Sequence, residues 1–151
     1  MRIAAGLLGV GLALGLGLTP GAAQAPQPPH AWIFGSWTGG FFPATETSGP
    51  DCAGQPSVIF TRDVVMRSSP LEVPYRQRMI ETASAQPDGL TIRLASLVPP
   101  GDPRARSVPA NFGFGCDGDP NLLRIERRGP DEIAFPNCSE FPAPLKRCVS
   151  R

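Results

Sequence analysis

FGSWTGG, residues 34–40, opens the first strand-like run of the chain, and its reading decides the rest. Gly35, Gly39 and Gly40 surround Trp37, one of only 2 tryptophans. Glycine lets backbones pass close to one another and adopt positive φ. A lone large aromatic among glycines suits either the wall of a binding site or the plug of a small β-structure.

Upstream of this stretch, residues 1–25 read MRIAAGLLGVGLALGLGLTPGAAQA. Arg2 forms a short positive region, an apolar and glycine-rich run covers 3–18, and Pro20 and Gly21 break it. Ala23-Gln24-Ala25 then matches the small-x-small cleavage pattern of a signal peptide. The run is short for a membrane span, which needs about 20 apolar residues. These features predict a cleaved leader, a periplasmic or secreted protein, and no membrane attachment after cleavage.

The 14 basic and 13 acidic residues come into even balance once Arg2 is removed. Nucleic acids and anionic membranes both call for a basic excess, so neither is an expected partner. Four cysteines in an exported chain predict two disulfides. Cys52, Cys116, Cys138 and Cys148 contain no CxxC pair, and the lone His30 falls in a proline-rich stretch, so no metal site is expected.

Downstream, the chain's 19 prolines organise the pattern. Proline ends helices and is excluded from central strands, so it marks gaps between short strands. The stretch SVIFTRDVVMRSS, residues 57–69, holds two β-branched runs about a Thr61-Arg62-Asp63 turn. Gln86-Pro87-Asp88-Gly89 and Arg128-Gly129-Pro130-Asp131 are hairpin signals, and NFGFG at 111–115 is read as a brief sixth strand. Leu90, Ile92 and Leu94 alternate with Thr91 and Arg93, and Leu123 and Ile125 alternate with Arg124 and Glu126. Ile133 and Phe135 flank Ala134. Period-2 patterning of this kind gives strands one buried and one wetted face.

The resulting expectation is an all-β fold of about eight antiparallel strands in meander order, closed into a small barrel with no helix needed. A sandwich is the competitor. Residues 26–32 form a proline-rich tail, 33–138 the barrel domain and 139–151 an extended C-terminal tail. The long loops 43–56 and 99–109 either cover an open end or stay mobile.

Strand direction then places the cysteines. If the first strand ascends, Cys52 lies in a top loop, while Cys116 after strand six and Cys138 after strand eight share the bottom. The tail 139–148, extended at about 3.1 Å per residue, spans roughly 30 Å. That exceeds the rise of about 23 Å of a seven-residue strand, so the tail can climb to the top. Cys116–Cys138 and Cys52–Cys148 follow, with Cys138–Cys148 plus Cys52–Cys116 as the open alternative.

Gly35-x-Trp37 at the start of the first strand of an exported β-meander resembles the GxW signature of the lipocalin and wider calycin families. The resemblance implies a lipocalin-like eight-stranded barrel with the tryptophan across its closed end and a late arginine over the ring. Carried onto this chain, Trp37 becomes the plug, Gly35 the spacer and Arg147 the arginine, with Arg151 as its competitor. No TDY-like segment follows a middle strand, and Pro142 and Pro144 prevent the family's C-terminal helix. In size the chain is similar to the small periplasmic inhibitors of bacterial metalloproteases, which also combine a leader, a GxW strand and a disulfide-stapled barrel.

Catalytic chemistry finds little support. Asp117-Gly118-Asp119-Pro120-Asn121 has the oxygen ligands of half a calcium loop, but Leu122 and Arg128 stand where glycine and an acid are needed, so it reads as a turn. Asp131-Glu132, an adjacent acidic pair, sits at a hairpin turn where solvated charge is expected. No nucleophile elbow, haem-attachment motif or phosphate loop is present. No enzyme activity and no cofactor are therefore expected. Tyr75, Arg76 and Arg78, with Arg93, either bind an anion through forked hydrogen bonds or form an outer arginine face paired with Glu81 and Asp88.

Three functions stay open. The first, carried forward, is an exported monomeric carrier whose small apolar ligand is lined by Trp37, Tyr75, Leu90, Ile92, Leu94 and Phe135. The second is a protease-inhibitor-like or other protein-binding module that docks through its loops or the tail PQPPHAW, residues 26–32. The third is a cell-envelope structural protein with no ligand.

Overall fold

The computed structural model describes residues 26–69, 72–98, 101–103 and 114–149; the leader called at 1–25 lies outside them. Eight strands follow in chain order: β1 (Gly35–Gly39), β2 (Ser57–Phe60), β3 (Val64–Ser69), β4 (Glu72–Gln86), β5 (Gly89–Leu94), β6 (Leu122–Arg127), β7 (Glu132–Ala134) and β8 (Leu145–Arg147). Each pairs antiparallel with the next, and β8 pairs with β1, so the sheet closes into a barrel. Closure removes both edges that a sandwich would leave open. Among the described residues, the helices are a 3-10 turn at Ala31–Ile33 and the short α1, Gly49–Ala53.

Tight turns fix the register. Gln86 pairs with Gly89 across Pro87-Asp88, which sets Leu90 opposite Ala85 and Ile92 opposite Ala83. Gly89 is required there, because a Cβ would run into the Ile125 carbonyl of the neighbouring strand. With period 2 between faces, this register points Leu90, Ile92, Leu94, Leu123 and Ile125 inward. They join Ile33, Trp37, Val58, Phe60, Val65, Ile133, Phe135, Phe141 and Leu145 in one buried cluster.

Taking β1 as ascending, the N-terminal segment and the β2–β3, β4–β5 and β6–β7 turns lie at the bottom. The β1–β2, β3–β4, β5–β6 and β7–β8 connections lie at the top. Both expected disulfides are present, Cys52–Cys148 and Cys116–Cys138, but the ends assigned to them need correction. Most of the NFGFG segment taken as the sixth strand lies outside the described residues, and Phe114-Gly115 is not in a strand. Strand β6 starts at Leu122 instead, which moves both Cys116 and Cys138 to the top. The tail does not climb. Cys148 continues the descending β8, its N–H donating to the Ser36 carbonyl at 2.8 Å. The β1–β2 connection folds back down the wall to bring Cys52 to it.

The boundary expected at residue 138 is also corrected. Leu145 is fully buried, Ile133 pairs with it on one side and Gly39 on the other, so the segment read as an extended tail supplies the closing strand. At the other end, His30 is 3 % exposed and Ala31–Ile33 forms a turn against the barrel, so the free N-terminal tail stops before His30.

Candidate functional site

The bottom of the barrel is closed by two arginine–indole pairs. Trp37 is fully buried and its Nε1–H donates to the Ile33 carbonyl at 2.7 Å. The Arg147 guanidinium carbon stands 4.2 Å from the indole centroid. Its Nη1 and Nη2 donate to the Phe34 and Trp32 carbonyls at 2.9 and 2.8 Å, and its Nε faces Asp131 at 3.2 Å. Gly35, at φ +107°, leaves the space beside that guanidinium. Arg127 lies over Trp32, 5.1 Å from the ring centroid, and the His30 ring is tied through Nε2 to the Arg62 carbonyl at 2.8 Å. Arg151, the competitor for Arg147, lies outside the described residues.

The residues expected to line a ligand cavity fill the interior instead. Trp37 and Ile92 are at 0 % exposure, Leu90 and Leu94 at 1 %, and all pack within the same cluster as Phe135. Phe135 makes edge contacts with Phe60, Phe114 and Phe141. The side chain of Tyr75 lies outside the described residues.

The arginine cluster is divided between faces. Arg78 points inward near the top and is 6 % exposed. Its Nη1 donates to the Pro120 carbonyl at 3.1 Å, and its Nη2 to the Ala95 carbonyl at 3.0 Å and Asn121 Oδ1 at 2.6 Å. Burial lowers its pKa from the ordinary guanidinium value, with Asp119 acting in the opposite sense. Arg93 lies on the outer face and pairs with Asp119 at 3.3 Å. Arg76 has its backbone opposite Arg67, and its side chain lies outside the described residues. The structure thus brings no pair of Arg78 and Arg93 together for a shared anion.

The acidic turns are occupied by basic partners: Asp117 by Arg124, Asp131 by Arg147 and Glu132 by Lys146. Asp119 caps its own turn by accepting from the Asn121 N–H at 2.8 Å. Among the described residues, no three His, Cys, Asp or Glu side chains gather as metal ligands would.

Two features stand outside the expected set. The first is the top rim. Phe42 is 74 % exposed and Phe41 39 %, with the Phe41 ring 4.7 Å from that of Phe141. Pro43, Pro142 and Pro144 surround them, all exposed. Gly40 and Ala143 join the two segments: the Ala143 N–H donates to the Gly40 carbonyl at 2.7 Å, and the Gly40 N–H to the Pro144 carbonyl at 3.2 Å. Phe141 is held at φ +57°, which a bulky residue adopts only where its surroundings enforce it. Beneath the rim, Arg67 projects inward, bonds Glu140 at 2.8 Å and packs 5.7 and 5.6 Å from the Phe41 and Phe141 ring centroids. The repeated Phe-Pro pairs at 42–43 and 141–142 were the visible sequence signal for this surface.

The second feature is a recess of about 780 Å³ on the outer wall, between the folded-back β1–β2 connection and the outward faces of β1, β2 and β3. Its floor comprises Ser36, Ser57, Ile59 and Ser68, and its walls include Glu46, Asp51, Cys52, Cys148 and Val149. Hydrogen bonds within the connection brace it. Gln55 Oε1 accepts from the Thr45 N–H and hydroxyl, while Gln55 Nε2 donates to the Glu46 carbonyl.

No protein-family model, curated protein or solved structure matches the chain.

Proposed function

We propose that this is an exported, non-enzymatic binding module of lipocalin-like architecture that engages a partner protein through the aromatic rim at the top of its barrel. The observation carrying the reading is Phe42, 74 % exposed and following two residues that are held in place, Gly40 by its backbone bonds to Ala143 and Pro144 and Phe41 by its tilted contact with the Phe141 ring. Exposed aromatics cost water-contact energy, and a rigid one loses little entropy when it enters a partner's pocket. The filled interior favours surface binding over carriage of an apolar ligand, since the lining residues of a carrier are already packed against one another. Two disulfides are more typical of an extracellular or periplasmic protein, in keeping with the leader-like first 25 residues. The mode is that of an inhibitor working by loops; His30 and Trp32 serve the barrel end rather than a docking tail.

The test is site-specific photo-crosslinking in the exporting cell. A photoreactive residue at Pro43 is expected to trap one discrete protein adduct, absent when Phe42 is also changed to serine and absent when the probe sits at Arg93 on the outer wall. No adduct at Pro43, or one indifferent to Phe42→Ser, overturns the rim reading.

A further inference from the structure

We propose that His30 is an acid-sensitive latch: neutral, it fastens the N-terminal turn to the bottom of the barrel, and protonation loosens it. The inference does not depend on the aromatic rim at the other end. His30 is the chain's sole histidine and is 3 % exposed. Its Nε2 lies 2.8 Å from the Arg62 carbonyl. A carbonyl only accepts, so the neutral ring carries its hydrogen on Nε2 and a lone pair on Nδ1. Nδ1 is buried and has no hydrogen-bond partner among the described residues. The same ring packs in an edge contact with Phe34, the centroids 5.2 Å apart.

A proton added at Nδ1 therefore enters as a buried N–H with nothing to receive it. The bond from Nε2 strengthens when the ring is charged, but a buried charge and an orphaned donor cost more than that gain. The partner carbonyl is poorly placed to adjust, because the β2–β3 turn that carries it is braced. The Thr61 N–H donates to the Val64 carbonyl at 3.0 Å, and the Val64 N–H to the Thr61 hydroxyl at 3.0 Å. Once the segment lifts, water takes the Nδ1 hydrogen. Acid thus favours the released segment, and the latch holds where the imidazole is neutral.

The surrounding charges act in the same direction. Arg127 of β6 lies over Trp32, and Arg147 of β8 holds the Trp32 and Phe34 carbonyls. A charged His30 would thus join two permanent cations already gathered on the turn that follows it. The acids are engaged or at the surface: Asp131 pairs with Arg147, and Glu126 with Arg128. Arg62 and Asp63 on the β2–β3 turn and Asp88 on the β4–β5 turn are exposed, and neither carboxylate bonds Nδ1. The N-terminal turn is held from two sides. Arg147 keeps its charge at every physiological pH, whereas an imidazole changes charge within that range. Protonation frees the histidine side while the arginine keeps the other.

The experiment follows hydrogen exchange of the Trp37 Nε1–H, which donates to the Ile33 carbonyl of this turn, in the oxidised mature protein. Exchange corrected for its intrinsic pH dependence reports local opening. Protection is expected to fall about tenfold as pH drops from about 7.5 to about 5.5, the worth of one buried hydrogen bond. The fall should share its midpoint with the imidazole proton shift of His30, while the Ile92 amide stays protected. His30→Gln, a neutral donor, should remove the pH dependence; its melting curve checks that it is folded, and the wild-type midpoints decide the matter if it is not. Protection that stays level while His30 titrates overturns the proposal, as does a His30 that does not titrate before the barrel unfolds. So does a fall that persists in folded His30→Gln, one whose midpoint departs from that of the imidazole, or one shared by the Ile92 amide.

Discussion

Arg147 and Trp37 face each other directly across β8 and β1, and the guanidinium carbon stands 4.2 Å from the centre of the indole. The same side chain holds the Trp32 and Phe34 carbonyls, so one residue joins the last strand, the first strand and the N-terminal turn. Replacing Arg147 by alanine is expected to cost about 2–4 kcal/mol, combining the cation–π contact with two hydrogen bonds. Lysine keeps the charge but not the planar fork, and should recover less than half of the loss. Urea unfolding of the three proteins measures this; a lysine variant as stable as wild type contradicts the role given to the fork.

Gly40 is a second point of stress. It has φ +84°, and a Cβ there would meet the Phe141 side chain. Gly40→Ala should therefore cost about 2–5 kcal/mol, adding left-handed strain to overpacking. Gly118 has a similar φ of +78° with nothing within 4 Å of the Cβ position, so Gly118→Ala should cost only the strain, about 1–2 kcal/mol. Thermal unfolding of both variants separates the two contributions.

The disulfides differ in the length of chain they close. Cys52–Cys148 spans 96 residues and Cys116–Cys138 spans 22. Restriction of the unfolded chain gives about 4–5 kcal/mol for the first and about 3–4 kcal/mol for the second. Replacing each pair by alanines should accordingly destabilise the protein in that order, by a difference of about 1 kcal/mol. Equal losses would mean that native contacts, not chain entropy, set the values.

The barrel walls were legible because their signals are local. Gln86-Pro87-Asp88-Gly89 specifies a hairpin within four residues, and the Leu90, Ile92, Leu94 alternation assigns a face without reference to any partner strand. β8 was not legible for the opposite reason. Leu145–Arg147 is too short to show a period, follows two prolines, and becomes a strand only through pairing with β1 and β7. The inward arginines escaped the pattern too, since Arg67 and Arg78 occupy core-facing positions of β3 and β4 with polar partners supplied from distant loops. The disulfide pairing was right although the end of the barrel was wrong: leaving out β8 while counting NFGFG as a strand shifted Cys116 and Cys138 to the bottom together, and the two cysteines stayed neighbours. Of the candidate site, Trp37 and Arg147 were readable from GxW and from position. The recess was not, because it exists only where the β1–β2 connection folds back over Ser36, Ser57 and Ser68.

The central claim is that the interior of this barrel is structural and that its binding surfaces lie outside. Methyl NMR during titration with a medium-chain fatty acid tests it most directly. Ile92, Leu123 and Ile133, all at 0 % exposure, should keep their methyl shifts throughout. Saturable shifts at those three residues would place a ligand inside the barrel and return the protein to the carriers.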